Sequence, residues 1–135
     1  RLLARIQDPW TGAIRWEGHD LRDFPLEELR RRIAYLPQEP AIRADTRLSV
    51  GERQLRAVER VLRRNPELVL LDEPTAQLDP RAEAALLNAL ERMLEGRTSI
   101  LIAHRPSTLR LAQRVLHLED GQLRLDDVAV LVKRS

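Results

Sequence analysis

The sequence predicts an α/β domain: a mainly parallel sheet flanked by helices, with a C-terminal β-hairpin. Three observations carry this. Ile33–Leu36, Leu68–Leu71 and Ser99–Ala103 are short apolar runs with the length of buried strands. The stretches between them repeat their apolar residues at helical spacing, so strand and helix alternate along the chain. Asp120-Gly121, the favoured two-residue hairpin turn, separates Val115–Leu118 from Leu123–Leu125.

Arg1–Ile6 reads as the tail of a helix. Asp8-Pro9 and Thr11-Gly12 mark a turn, and Ala13–Trp16 suits a short strand ending at Gly18. Pro25 opens a helix with Glu27 and Glu28 in its first turn and Arg30–Arg32 in its last, the charge order that a helix dipole favours. Leu26, Leu29 and Ile33 form its apolar stripe. After the strand Ile33–Leu36 comes Pro37-Gln38. A second helix, Ser49–Arg64, carries Leu55, Val58 and Leu62 on one face and stops at Asn65-Pro66. Its start, Ser49-Val50-Gly51-Glu52, has capping-box spacing. Asp79-Pro80 starts a third helix with Leu86, Leu90, Met93 and Leu94 toward the core and Gly96 at its end. Val128–Val132 is an apolar run with no assigned place.

With 135 residues the chain forms one domain, able to bury roughly two-thirds of its unfolded surface. A composition 43% hydrophobic and 33% charged is that of a globular chain, not a disordered one. No apolar run approaches the roughly 20 residues of a membrane-spanning helix. The absence of cysteine excludes disulfides, thiolate zinc sites and thiol catalysis. The net charge is +2, and arginines are interleaved with acids along the chain, which suits solvated helix faces better than a nucleic-acid surface.

The densest chemistry lies in LVLLDEPTAQLD, Leu68–Asp79. Asp72 and Glu73 follow a buried strand where the chain leaves the sheet, and Pro74 stops further pairing. Open α/β sheets bind ligands just beyond the carboxyl ends of their strands. There one carboxylate can hold Mg²⁺ and a second can orient or deprotonate a water. An apolar run followed by two acids is by itself equally an acidic strand-to-helix turn.

The full string, however, resembles the Walker B motif (residues 68–73) and D-loop (76–79) of ATP-binding cassette (ABC) ATPases. Ala34–Gln38, AYLPQ, resembles the Q-loop strand; Leu48–Gln54, LSVGERQ, the signature motif; Ile102–Arg105, IAHR, the switch-histidine loop. Five pieces stand in the family's order, and Asp20–Pro40 is most similar to exporter-type transporters. The resemblance implies ATP and Mg²⁺ as ligands. It gives Asp72 to the metal, Glu73 to the general base, Gln38 to the metal and attacking water, and His104 to the γ-phosphate and water. Ser49, Gly51 and Asp79 would then meet an ATP held mainly by a second nucleotide-binding domain. It also implies a transmembrane-domain partner, a position at the cytoplasmic face of the membrane and no nucleic-acid partner. Val50 and Glu52 depart from the usual glycine and glutamine of the signature. Glu52 puts negative charge at a phosphate-facing helix end unless it folds back as a cap. His19 and His117 lie outside the motifs and read as structural.

Two parts of the family pattern are missing. No glycine pair followed by lysine matches G-x-x-x-x-G-K-[ST], and the only lysine is Lys133. The resemblance makes this a P-loop NTPase core without its P-loop strand, the chain starting just after that loop. The lost strand belongs between Ser99–Ala103 and Val115–Leu118, so a gap or a direct pairing is expected there. Only nine residues separate Gln38 from Leu48, where the family carries a helical subdomain of several dozen. The reading is therefore a partial nucleotide-binding domain, inactive alone, whose intact form hydrolyses ATP to drive transport. The alternatives are a non-catalytic dimerisation or interaction module, or a soluble ABC ATPase acting on nucleic acid or ribosomes.

Overall fold

The computed structural model describes residues 1–38 and 48–125. Val128–Val132 and the end of the exporter-like stretch, Glu39-Pro40, lie outside the described residues. The elements run β1 (Arg15–Trp16), β2 (His19–Asp20), a 3-10 turn (Leu21–Asp23), α1 (Leu26–Arg32), β3 (Ile33–Leu36), α2 (Val50–Leu62), β4 (Leu68–Asp72), α3 (Pro80–Met93), β5 (Thr98–Ile102), α4 (Pro106–Leu109), β6 (Leu116–Glu119) and β7 (Gln122–Leu125). The architecture is α/β, with a parallel three-stranded sheet in the order β3-β4-β5.

β4 is the centre because its four apolar residues can be covered on both faces. Side chains alternate along a strand. Leu68 and Leu70 enter one cluster with Leu21, Leu29 and Ile33. Val69 and Leu71 enter the other with Leu36, Val58, Leu86, Leu90 and Leu101, built from α2 and α3. Burying each such side chain stabilises the fold by roughly 1.5–3 kcal/mol. A one-residue slip of β4 would exchange the two sets, so packing on both faces fixes the register Leu68 opposite Ile33 and Thr98.

The helix ends follow the capping residues. Pro25 is the N-cap of α1 and Arg30–Arg32 its last turn, as the charge order predicts. Arg32 then grips Glu67 through two bonds of 2.9 Å, tying the end of α1 to the start of β4. Ser49 Oγ accepts from the Glu52 amide at 3.2 Å, and Glu52 Oε2 accepts from the Ser49 amide at 2.8 Å, closing the capping box of α2. Asp79 accepts from the amides of Arg81 and Ala82 at 3.0 and 3.1 Å to start α3. A Cβ on Gly51 would sit 3.0 Å from the Ala82 Cβ, so this glycine lets the first turns of α2 and α3 approach.

Three expectations change. Arg1–Ile6 forms turns rather than a helix: Arg5 takes φ 47° and only two local backbone bonds close, too few to propagate a helix. The short strand near Trp16 is half of a hairpin, β1-β2, turning on Glu17 at φ 51° and Gly18 at φ 86°. α4 is new; its four residues are too few to show helical periodicity in the sequence. β5 and β6 do not pair, which leaves the gap that was one of the two arrangements expected there: among the described residues β5 bonds only to β4, and β6 only to β7. The hairpin β6-β7 turns on Asp120 at φ 49° and Gly121 at φ 75°, where its sequence places it. No described helix is long and apolar enough to cross a membrane.

Candidate functional site

Because β3, β4 and β5 run parallel, the residues that follow them emerge at one rim. Gln38 follows β3, Asp72 ends β4 with Glu73 beside it, and His104 follows β5. Asp72 lies opposite Ile102 in register. The Glu73 amide donates to the Ile102 carbonyl at 2.9 Å, extending the pairing one step while Glu73 itself turns out at φ 44°. Here the chain leaves the sheet, and Pro74, which has no N–H to offer, is buried behind it.

Glu73 and His104 meet. His104 Nε2 stands 2.9 Å from Glu73 Oε1, an ion pair when the ring is protonated. The carboxylate is mostly covered, its side chain 26% exposed, whereas the imidazole is 79% exposed. The two line a cavity of about 140 Å³ with Thr75, Ala76, Ala103 and Arg105. Asp72 is engaged differently. Its Oδ2 accepts from the Tyr35 hydroxyl at 3.1 Å, across from β3. Burial, and then the Asp72 carboxylate, push the Tyr35 phenol up. Gln38 is exposed at the same rim and does not line the Glu73 cavity. The four residues therefore share a rim, but only Glu73 and His104 are in contact.

Ser49, Gly51 and Asp79 form a second group. With Glu52, Leu55 and Arg81 they line a groove of about 510 Å³ between the first turns of α2 and α3. Glu52 folds back on the Ser49 amide, so its charge is spent on the cap. That bond pulls its carboxyl below the ordinary range.

Among the described residues no three His, Asp or Glu side chains gather as a metal cage. Mg²⁺ seldom uses one; it takes one or two carboxylates together with water and substrate phosphates. Half-buried Asp72, with one oxygen committed to Tyr35, fits that role. A phosphate cradle does not fit this chain alone, since no glycine-rich loop with its lysine is in the sequence.

Other side chains at this rim are not in the motif reading. Glu83 is buried on α3 and bonded to Arg105 and Ser107. Thr75 and Thr108, both buried, share a hydrogen bond of 2.9 Å. The signal for Glu83 was present: it stands in phase with Leu86 and Leu90, where a helix facing the core should carry an apolar residue. Tyr35 was a hydroxyl inside an otherwise apolar strand. The remaining histidines are apart, His19 edge-on to Phe24 at 6.3 Å between centroids and His117 exposed in β6.

Comparison with known proteins adds the relationship. No family model matches the chain. It is 32% identical, over 90% of its length, to an ATP-dependent lipid A-core flippase of Syntrophus aciditrophicus, covering 28% of that protein. It is 33% identical over 90% to the beta-(1-->2)glucan export ATP-binding/permease protein NdvA of Nitrobacter winogradskyi, again covering 28%. It is 31% identical over 90% to ABC transporter B family member 15 of Arabidopsis thaliana, covering 14%. The chain thus spans between about a seventh and just over a quarter of these relatives. The matched spans, 168–170 positions, exceed the 135 residues of the chain, so the relatives carry residues inside them that have no counterpart here. Over the span that it shares with these proteins, the chain is part of an ABC transporter nucleotide-binding domain.

Proposed function

We propose that the chain is the water-activating half of an ATP-hydrolysing ABC domain, a P-loop NTPase core in which the phosphate-binding loop and its strand are wanting. The observation that carries this is the contact of Glu73 with His104 beside Asp72, at the carboxyl-end rim of a parallel sheet. Asp72 holds Mg²⁺, directly or through water, with Tyr35 orienting its carboxylate. Glu73 accepts a proton from the attacking water. His104 stands against Glu73 and orients the group being transferred, and Gln38 attends the metal and the water from the neighbouring strand. When bound, Mg²⁺ neutralises charge on the phosphate oxygens.

The signature groove is read in the same terms. Ser49 and Gly51 at the start of α2, with Asp79 at the start of α3, serve an ATP held mainly by a second nucleotide-binding domain. Free amides and the dipole at a helix N-terminus suit a phosphate. In the parent protein the partners are that second domain and a transmembrane domain, and the location is the cytoplasmic face of the membrane. ATP hydrolysis there powers export, by analogy with the ATP-dependent flippase and the glucan export protein.

The test is made in the intact parent, where Glu73→Gln removes the base but keeps the side-chain shape. Turnover falls by at least the roughly 10²–10⁴ that a positioned general base contributes, and ATP binding persists. Unchanged turnover in Glu73→Gln would sink the assignment.

A further inference from the structure

We propose that Arg105 and Glu83 are positioning residues that hold His104 against Glu73, by locking the segment after β5 to the turn after β4 and to α3. This rests on the reading of Glu73 and His104 as the water-activating pair and deepens it. The starting point is the exposure of His104. With its side chain 79% exposed, the ring has little packing to hold it. Its place must be set by the backbone on either side.

Both sides are anchored. Before His104, the Ile102 carbonyl accepts from the Glu73 amide at 2.9 Å. After it, the Arg105 guanidinium pairs with Glu83 and donates to the Leu78 carbonyl at 3.3 Å, with the Ala76 carbonyl near its other nitrogen at 3.5 Å. Ser107 donates to the second oxygen of Glu83, and Thr108 meets Thr75 at 2.9 Å. Residues 73–79 and 102–108 are thus laced together, and Arg105 reaches both the carbonyls of that turn and the acid on α3. The planar guanidinium suits this, since it presents donors along fixed directions to several acceptors at once.

The chemistry at Glu83 also points to geometry rather than bulk stability. Glu83 is 9% exposed, on a stripe otherwise filled by Leu86, Ala89 and Leu90. An ion pair whose arginine side chain is 40% exposed is a modest stabiliser, because water screens its attraction and the desolvation of Glu83 opposes it. What the pair adds is a defined distance between α3, the turn and the histidine segment.

The experiment follows His104 by NMR in the 135-residue chain. In the native chain a cross-peak joins the His104 ring to the Glu73 side chain. In Arg105→Ala and in Glu83→Ala that cross-peak is lost, and amide exchange in residues 75–79 rises about tenfold or more, as expected for loss of hydrogen bonds to a charged group. Amides of β3, β4 and β5 keep their protection. The double variant loses no more than either single one, because the two residues act as one unit. Arg105→Lys, which keeps the charge opposite Glu83, recovers part of the cross-peak. A cross-peak of native intensity in Arg105→Ala overturns the proposal, as does a parallel loss of protection in all three strands, which would make the pair a general stabiliser. The readout needs no nucleotide. Failure of Glu73→Gln to affect turnover in the parent would therefore remove the catalytic reading while leaving this result standing.

Discussion

At Glu73 the backbone takes φ 44°, a region that side chains other than glycine's visit at a cost. The cost is offset locally by the bond from its amide to Ile102 and by burial of the following proline. The conformation turns the Glu73 carboxylate toward the segment that carries His104. At the same scale, several carboxylates hold the folded state through their ionised form. Asp79 lies below the ordinary carboxylate range, chiefly through the Ala82 amide, and Glu52 does so through the Ser49 amide. Glu67 is lowered by Arg32, and Asp20 is lowered to about 2 by its bonds to Arg22. A carboxyl lowered in the folded state binds protons more readily when unfolded. Its contribution is therefore complete above the unfolded values, about 4, and is lost as pH falls through the lower folded ones. The urea midpoint should be level from about pH 7 to 5 and then fall steadily toward pH 2. In Asp79→Asn, which keeps a capping side chain without the charge, the fall should be shallower. A midpoint insensitive to acid would show that these contacts do not persist in solution.

Between elements, α2 and α3 approach closely at Gly51. A methyl group there would meet the Ala82 Cβ at 3.0 Å, with the Ala82 Cα at 3.9 Å behind it and Leu78 Cδ2 equally near. An alanine side chain cannot rotate away, so one helix must shift. Overpacking costs about 1–3 kcal/mol, while replacing glycine by alanine in a helix returns about 1 kcal/mol or less. Gly51→Ala should therefore lower the unfolding free energy by about 1 kcal/mol. Adding Ala82→Gly, which removes the obstructing methyl, should relieve the clash at the cost of a second helical glycine. The check is the coupling in a double-mutant cycle by urea denaturation; strictly additive effects would show that the two positions do not touch. This contact gives Gly51 a packing role that stands beside the phosphate role proposed for it.

For the whole molecule, the expectation is set by what positions the substrate. A base such as Glu73 accelerates only a reaction whose partners are already held in line, and alignment contributes several kcal/mol by itself. The sequence contains no phosphate-binding loop to supply it. The purified 135-residue chain should show no ATP turnover above background, measured by phosphate release with Mg²⁺ present. Hydrolysis by the chain that disappears in Glu73→Gln would show that nucleotide is held by groups other than a P-loop.

The three core strands, the caps Ser49 and Asp79 and the hairpin turn at Asp120-Gly121 were legible because each is a local pattern: an apolar run, an oxygen before a helix, a residue pair suited to positive φ. The order of motifs likewise placed Gln38, Asp72, Glu73 and His104 at the ends of strands, and parallel pairing did the rest by setting them on one rim. Other features needed the folded chain. In Arg1–Ile6 only two local backbone bonds close, too few to hold a helix, and β2 and α4 are too short to show a period. That His104 touches Glu73 while Asp72 turns to Tyr35, and that Arg105 reaches Glu83 across α3, depends on side chains distant in sequence meeting across the rim. For the longer elements, sequence spacing decides which form and roughly where each ends; which side chains meet across them is decided only when both faces of β4 are packed.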